Sequence, residues 1–348
     1  MQEAIYPGKP WYDTEGRRIQ AHGGAIFQED GVYYWYGENK EKTDGKNDIW
    51  TWGISCYRSS DLCNWENLGL IIPPVLDDPA SPLAPQKRVD RPHILKNPRT
   101  GKYVCWIKLS GDDACFVVLT ADRLTGPYEL VRQAVRPLGK KVGDFDLFQA
   151  KDGNAYVFFD GDHAGVFCSA LTEDYLDLCG EITVQYPDLH APFTREGVTV
   201  FSHGGKFYML TSGMTGYIPN RSDSAVADNI LGPYVPLGDP HVEDASRASF
   251  NSQISQVFPL PGENCFLVLA DRWVPEYVVD ARKADILERA IASHFEPEKY
   301  QVSMEEKMEM RNSPMLASAN TSIADYVWLP MSVVDGIPQI RWLDSWRP

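Results

Sequence analysis

Glu196 opens the stretch Arg195 to Gly213, REGVTVFSHGGKFYMLTSG, where a carboxylate is followed by an alternating run, a Gly-Gly turn and a second alternating run. That is the pattern of a β-hairpin with the glutamate at the first position of its first strand. Four other phrases repeat the arrangement: Ala21-His22-Gly23-Gly24, Val89-Asp90-Arg91-Pro92, Gly143-Asp144-Phe145-Asp146 and Asn251-Ser252-Gln253. Asp90, Asp144 and Glu196 are carboxylates. Taken singly, each reads as a solvated turn residue, since Asp and Glu are common at surfaces. Gathered in one pocket they would do more, because mutual repulsion and loss of water hold at least one of them protonated near neutral pH. A protonated carboxyl facing a group that directs water is the equipment for cleaving a glycosidic bond.

What would gather five strand starts is a repeat. Five turn-then-aromatic-strand phrases begin at Gly31, Gly101, Gly153, Gly205 and Gly262, at separations of 70, 52, 52 and 57 residues. Each follows another short apolar strand, so each unit begins with a hairpin. After the first four hairpins comes a second shared phrase: Ser60-Asp-Leu-Cys-Asn-Trp, Ala121-Asp-Arg-Leu-Thr-Gly-Pro-Tyr, Thr172-Glu-Asp-Tyr-Leu-Asp-Leu and Ala227-Asp-Asn-Ile-Leu-Gly-Pro-Tyr. About fifty residues holding four short strands is the size of one propeller blade. The chain therefore reads as all-β, one five-bladed β-propeller domain over residues 1–348, with the first strand of every blade around a central funnel. A β-sandwich with similar turns would not explain both phrases recurring in order, and the Gly-His and Trp-Asp marks of WD repeats are missing.

Two regions break the repeat. Residues 66–90 read as a proline-rich loop placed to cover the funnel mouth. Residues 278–322 read as an insert in the last blade, with helical spacing over Ala281-Arg-Lys-Ala-Asp-Ile-Leu-Glu-Arg-Ala-Ile-Ala, either a lid or a solvated decoration. Strand character returns at Tyr326, and the final strands are expected to complete blade five.

Composition narrows the partners. A net charge of −15 over 348 residues, with no Lys/Arg cluster, argues against nucleic acid. The 10 Trp and 17 Tyr suit either a β-rich core or a cleft that stacks on sugars. Seven irregularly spaced cysteines form no disulfide framework and no CxxC motif, so they read as reduced core thiols. The start MQEAIYPGKPWYD has no basic region followed by an apolar run, and no stretch is long enough to span a membrane. The sequence as given thus reads as a cytoplasmic protein with no membrane partner, or as a secreted one whose leader was removed.

The chain resembles family 43 of the glycoside hydrolases, and within it the exo-β-1,3-galactanase subfamily. The resemblance rests on ordered phrases: IQAHGGAI from Ile19, YWYGENK, SCYRSSDLCNW, RPHILKN from Arg91, GPYELV, PLG from Pro137, DFDLFQAKDGNAYVFF, TGYIPN from Thr215, Ser252-Gln253, DRW from Asp271, YVWLP and DGIPQIRW. It spans nearly the whole chain outside the insert. It implies an inverting exo-glycosidase that removes terminal galactose from β-1,3-galactan-type oligosaccharides. Glu196 would be the general acid, Asp144 the residue that tunes and orients it, and Gln253 the group that positions water, because the aspartate base of most of the family is replaced here by Ala21-His22. Among substrate contacts, Glu38 matches a sugar-binding glutamate, Asp90 stands where the subfamily has glutamate, and Arg272 and Trp273 lie in the DRW phrase. Trp273 reads as a stacking platform or as a core residue, and His22 as a water or sugar contact or as a hydrogen-bonding group within the channel. Neither a cofactor nor a metal ligand set is expected; some members hold a calcium ion in the channel, but no EF-hand-like ligand run occurs here. Two alternatives remain open: another terminal sugar (arabinofuranose, xylose or galactofuranose), or a catalytically silent glycan-binding propeller.

Overall fold

The computed structural model describes residues 2–313 and 319–348. Its strands form five sheets. The first holds β1 (His22–Glu29), β2 (Val32–Glu38), β3 (Ile54–Ser59) and β4 (Glu66–Ile72). The second holds β5 (Val89–Lys96), β6 (Tyr103–Leu109), β7 (Cys115–Ala121) and β8 (Glu129–Val135). β9 (Val142–Gln149), β10 (Ala155–Gly161), β11 (Val166–Leu171) and β12 (Leu178–Gln185) make the third. β13 (Glu196–His203), β14 (Lys206–Ser212), β15 (Ser222–Ala227) and β16 (Val235–Gly238) make the fourth. In these four sheets sequential strands pair antiparallel, as hairpin-linked strands must.

The fifth sheet is built differently. β17 (His241–Val242) precedes the inner strand β18 (Gln253–Pro259) but lies at the outer edge, parallel to β22 (Ile337–Arg341). Between them run β19 (Phe266–Arg272) and β21 (Leu329–Val334), with the two-residue β20 (Asp325–Tyr326) paired to β19. The C-terminal strands thus complete this blade, as the sequence indicates. The inner strands pack in a closed ring: β1 on β5, β5 on β9, β9 on β13, β13 on β18, and β18 on β1. The chain is a five-bladed β-propeller.

Packing explains the sequence pattern. Along β13, Val198, Thr199, Val200 and Phe201 are all buried despite their alternation, because each inner strand is covered by a neighbouring blade on both faces. The β13–β14 hairpin turns through Gly204 and Gly205, at φ of 57° and 77°, a left-handed pair that suits glycine. Most of the tryptophan excess is core. Trp11, Trp35, Trp65 and Trp328 interlock where blades one and five meet, with Trp35 and Trp328 centroids 4.5 Å apart. Ile5 bridges Trp346 and Gly8 bonds the Tyr326 carbonyl, tying the N-terminal segment to the last blade.

Two expectations change. Residues 66–72 are the fourth strand of blade one, so the proline-rich loop begins at Pro73; of that loop Arg88 reaches the funnel mouth. The insert is helical, with α1 (Ala281–Ala292) and α2 (Met304–Glu309), and its residues 314–318 lie outside those described. None of its described residues lines the funnel cavity. His190 bonds Glu296 at 2.9 Å and stacks on Phe295, and Val279, Ala284 and Leu287 pack with Ile218, so the insert lies against the loops of blade four. The seven cysteines are free; Cys56, Cys105, Cys115 and Cys168 are buried, whereas Cys179 is exposed and Cys63 and Cys265 are half-buried. Among the described residues no helix is long and apolar enough to cross a membrane.

Candidate active site

Each inner strand carries a register irregularity close to its start, between His22 and Ala25, Asp90 and His93, Val142 and Phe145, Glu196 and Thr199, and Ile254 and Gln256. A bulge re-aims the side chain beside it, and here it turns strand starts toward the funnel. In blades one, two and four the next residue is left-handed: Gly23 at φ 55°, Arg91 at 48° and Gly197 at 58°. Glycine is needed in two of these, since a Cβ on Gly23 would stand 2.4 Å from Glu38 Oε1, and one on Gly197 would stand 2.7 Å from Ser212 Oγ. Arg91 adopts the same backbone with a side chain, a strained choice that points to a use for the guanidinium.

That use is central. In a cavity of about 480 Å³, Arg91 Nε lies 2.9 Å from Asp144 Oδ2, its Nη2 donates to Gln253 Oε1 at 2.8 Å, and its backbone N–H donates to Glu38 Oε1 at 2.9 Å. Lys108 adds a second cation, 2.6 Å from Asp144 Oδ1. Burial alone would raise the Asp144 pKa, but Arg91 and Lys108 outweigh it and hold the carboxyl well below the usual range. Glu196 has the opposite environment. Burial, then the negative charges of Asp144 and Asp160, push it up to about 8, with Lys108 and Arg91 opposing. The cavity therefore pairs a fixed anion with a carboxyl that is protonated at neutral pH.

Gln253 is already committed. Its oxygen accepts from Arg91 and from Trp273 Nε1 at 3.2 Å, and its amide nitrogen donates to Ser212 Oγ at 3.0 Å and Glu196 Oε1 at 3.4 Å. Asp90 is held by Trp50 Nε1 at 2.6 Å on one oxygen and by Ser110 on the other. Glu38 is 1% exposed, with the Lys40 ammonium 2.7 Å from Oε2. Burial pushes it up to about 7, with Lys40 lowering and Asp90 raising it.

Of the residues picked out in the sequence, Glu196, Asp144, Gln253, Asp90, Glu38 and Trp273 line the cavity. His22 and Arg272 do not. His22 is fully enclosed, with Nδ1 3.0 Å from Asp271 Oδ1 and its ring stacked on Tyr326 at 4.9 Å, so it meets neither water nor sugar in the cavity. Arg272 follows Asp271 on β19, and neighbours on a strand face opposite ways. With Asp271 turned inward, Arg272 turns out and donates to the carbonyls of Phe250 and Asn251 at 2.8 and 3.1 Å, bracing the turn before Gln253.

Sequence reasoning left Arg91, Lys108, Asp160 and Trp50 without roles. A signal existed. The second strand of every blade is an aromatic run closing on a polar residue: Glu38, Lys108, Asp160, Ser212 and Asp271. Cross-strand pairing sets Glu38 opposite His22, Lys108 opposite Asp90, Ser212 opposite Glu196 and Asp271 opposite Gln253, forming a second polar ring behind the first.

Calcium takes six to eight oxygen ligands. In the channel, Asp146 accepts from the backbone N–H groups of Leu147 and Val200 and sits 3.3 Å from His93, whose pKa burial lowers to about 3. Among the described residues no three His, Cys, Asp or Glu side chains are grouped to hold a metal ion, so this donor set does not fit the calcium that the resemblance allows.

Residues 21–256 match the family model described as glycosyl hydrolases family 43. Among solved structures, the chain is similar to a GH43 β-1,3-galactosidase, BT0265, at 29% identity and a TM-score of 0.78; the match covers 100% of this chain and 64% of that one. It is similar to a second GH43 β-1,3-galactosidase, BT3683, solved with galactodeoxynojirimycin, at 25% identity and a TM-score of 0.78, covering 99% of this chain and 100% of that one. An exo-β-1,3-galactanase from Phanerochaete chrysosporium, solved with galactose, matches at 25% identity and a TM-score of 0.77, covering 99% and 68%. A comparison with curated proteins found no match.

Proposed function

The chain belongs to family 43 of the glycosyl hydrolases, and from that membership we propose that it is an inverting exo-glycosidase that removes terminal galactose from β-1,3-galactan-type oligosaccharides. The observation that carries the reading is the Glu196–Asp144 pair: a carboxyl pushed up to about 8 beside one held anionic by two buried cations. In this mechanism Glu196 passes its proton to the leaving glycosidic oxygen as the bond to the anomeric carbon breaks. Asp144 keeps that proton in place beforehand and faces the positive charge that develops on the sugar ring. Gln253, bonded to Glu196 and Arg91, holds the acid in position. Galactose and the β-1,3 linkage are supported by the likeness to β-1,3-galactosidases and to an exo-β-1,3-galactanase. A pure glycan-binding propeller would have no use for the acid and its paired anion.

Asp90 supports a second reading of the sugar. It is clamped by Trp50 and Ser110, and it is one methylene shorter than the subfamily's glutamate, a change that suits a different terminal hydroxyl pattern, such as arabinofuranose, xylose or galactofuranose. The test is a proton NMR time course on β-1,3-galactobiose with wild type and Glu196→Gln. Release of α-galactose first by wild type alone supports the proposal. No release, with cleavage of another terminal glycoside, transfers the reading to that sugar.

A further inference from the structure

The insert builds a cavity of its own. From α1, Ala284, Leu287 and Glu288 stand three and four residues apart, which puts them on one helix face, and that face meets the loops of blade four. The helix is held there by the His190–Glu296 bond and by the packing of Ala284 and Leu287 on Ile218. The space left between helix and blade is about 300 Å³. Ligand cavities run from about 300 to 1,000 Å³, so this one suits a small molecule the size of a single sugar ring.

Its lining carries three guanidinium groups, Arg195, Arg221 and Arg247, and three carboxylates, Asp223, Asp239 and Glu288. Few of these are committed to one another. Arg195 directs Nε to the Thr211 hydroxyl and Nη2 to the Thr211 carbonyl, each at 2.9 Å, and its Nη1 has no acceptor among the described residues. Arg221 comes no nearer than 3.9 Å to Asp239. Among the described residues, the side chains of Arg247 and Glu288 form neither a hydrogen bond nor an ion pair, and Arg247 sits at a left-handed φ of 54°. Donors and acceptors thus both stand open. A small anion here would meet three carboxylates, and a small cation three guanidiniums. A neutral polyhydroxylated ring meets neither penalty, because each hydroxyl both donates and accepts. Phe193, Pro219 and Leu287 supply apolar surface for its C–H face.

We propose that this cavity between blade four and α1 is a second carbohydrate site, separate from the funnel, that takes one neutral hexose ring. The class of ligand follows from the lining, and the choice of galactose rests on the reading of the funnel above. One segment walls both cavities. Gly213, Thr215, Pro219 and Asn220 face the insert side, whereas Met214, Gly216 and Tyr217 face the funnel. Asn220 stiffens this partition, bonding the Gly213 N–H and carbonyl at 2.7 and 2.8 Å and the Thr215 hydroxyl at 2.6 Å. Arg195 and Glu196 divide in the same way, the first lining the insert cavity and the second the funnel. A sugar in the second site therefore bears on the wall of the first.

Methyl NMR of the full chain reads the two sites apart, with the Met214 methyl reporting the funnel and the Leu287 methyls the insert cavity. Galactose should shift both saturably. With the funnel first filled by galactodeoxynojirimycin, Met214 should stop responding to galactose and Leu287 should continue. Arg247→Ala should weaken the Leu287 response by about tenfold or more and leave the Met214 curve in place. A response to free galactose identifies the occupant as released product, and a response to β-1,3-galactobiose alone identifies it as a unit of the oligosaccharide; each supports the site. Leu287 resonances unmoved by galactose, arabinose and xylose overturn it. So does a Leu287 shift that vanishes once the iminosugar fills the funnel, or one that Arg247→Ala leaves unchanged. Binding is read without turnover, so the two readings fail separately: an iminosugar that does not move Met214 counts against galactose in the funnel, while the Leu287 response and its loss in Arg247→Ala still decide the second site.

Discussion

The Arg91 guanidinium lies 2.9 Å from Asp144 inside the funnel, where the two side chains are 4% and 10% exposed. An ion pair so enclosed is costly to assemble, and its worth here lies in what it does to a third group. Asp144 stays ionised, and its charge is the largest influence after burial that keeps Glu196 protonated. Asp144→Asn should therefore lower the Glu196 pKa, because a repelling anion goes and the Arg91 and Lys108 cations remain. The alkaline limb of kcat/KM moves to lower pH, and activity falls by about 100-fold or more. Losing the shared partner of two buried cations should also cost about 3–5 kcal/mol of stability. An alkaline limb that stays in place would contradict the charge argument.

Glu196 has a second signature, in stability. Its folded pKa of about 8 exceeds the ordinary 4.5, so between those values the folded chain holds a proton that the unfolded chain has released. Stability must then fall as pH rises through that window. Glu38 and Asp146, both raised to about 7, contribute with the same sign. Thermal scans from pH 5 to 8 should show a falling Tm for wild type and a shallower fall for Glu196→Gln, which has nothing to ionise. Parallel slopes in the two proteins would argue that Glu196 is ionised throughout.

Much of this was legible in the chain. The five Gly-aromatic phrases gave the blades because a propeller repeats one hairpin five times, and the inner-strand starts placed Glu196, Asp144, Asp90 and Gln253 at one cavity. What was not legible came from cross-strand pairing. Lys108 is 36 residues before Asp144 and on another blade, and only register brings β6 beside β5 and both beside β9. Arg272 was misplaced for a related reason, and of the two readings of His22 the structure gives the hydrogen-bonding one. Sequence locates a residue along a strand, but the bulge and the strand's two faces decide where its side chain goes.

Trp50 was absent from the sequence-level list because nothing local marks it, yet it donates to Asp90 at 2.6 Å, with the Lys40 and Arg88 cations 4.9 and 5.0 Å from its ring centre. Trp50→Phe keeps the ring and removes the N–H. A hydrogen bond to a charged group is worth about 1.5–3 kcal/mol, so Asp90 should lose its fixed orientation and kcat/KM should fall by about tenfold or more, mainly through KM. Selectivity among terminal glycosides should relax in the same variant. A panel of aryl glycosides reads both effects, and unchanged kinetics would show that the Trp50 bond does not orient Asp90.

His22 gives the converse case, a residue near the chemistry in sequence but structural in place. Its ring bonds Asp271 at 3.0 Å, lies parallel to Tyr326 within 12°, and is held neutral chiefly by burial. His22→Phe retains the aromatic stack but removes the Asp271 contact, leaving that buried carboxylate with the Gly23 N–H at 3.0 Å as its remaining donor from the same strand. Leaving such an acceptor under-satisfied costs about 1–3 kcal/mol. The urea midpoint should therefore fall with the slope of the transition unchanged, while KM stays within about twofold, because no atom of the ring reaches the cavity. The two readouts separate the roles cleanly: a role in sugar or water contact would raise KM or lower kcat at unchanged stability, and a structural role does the reverse.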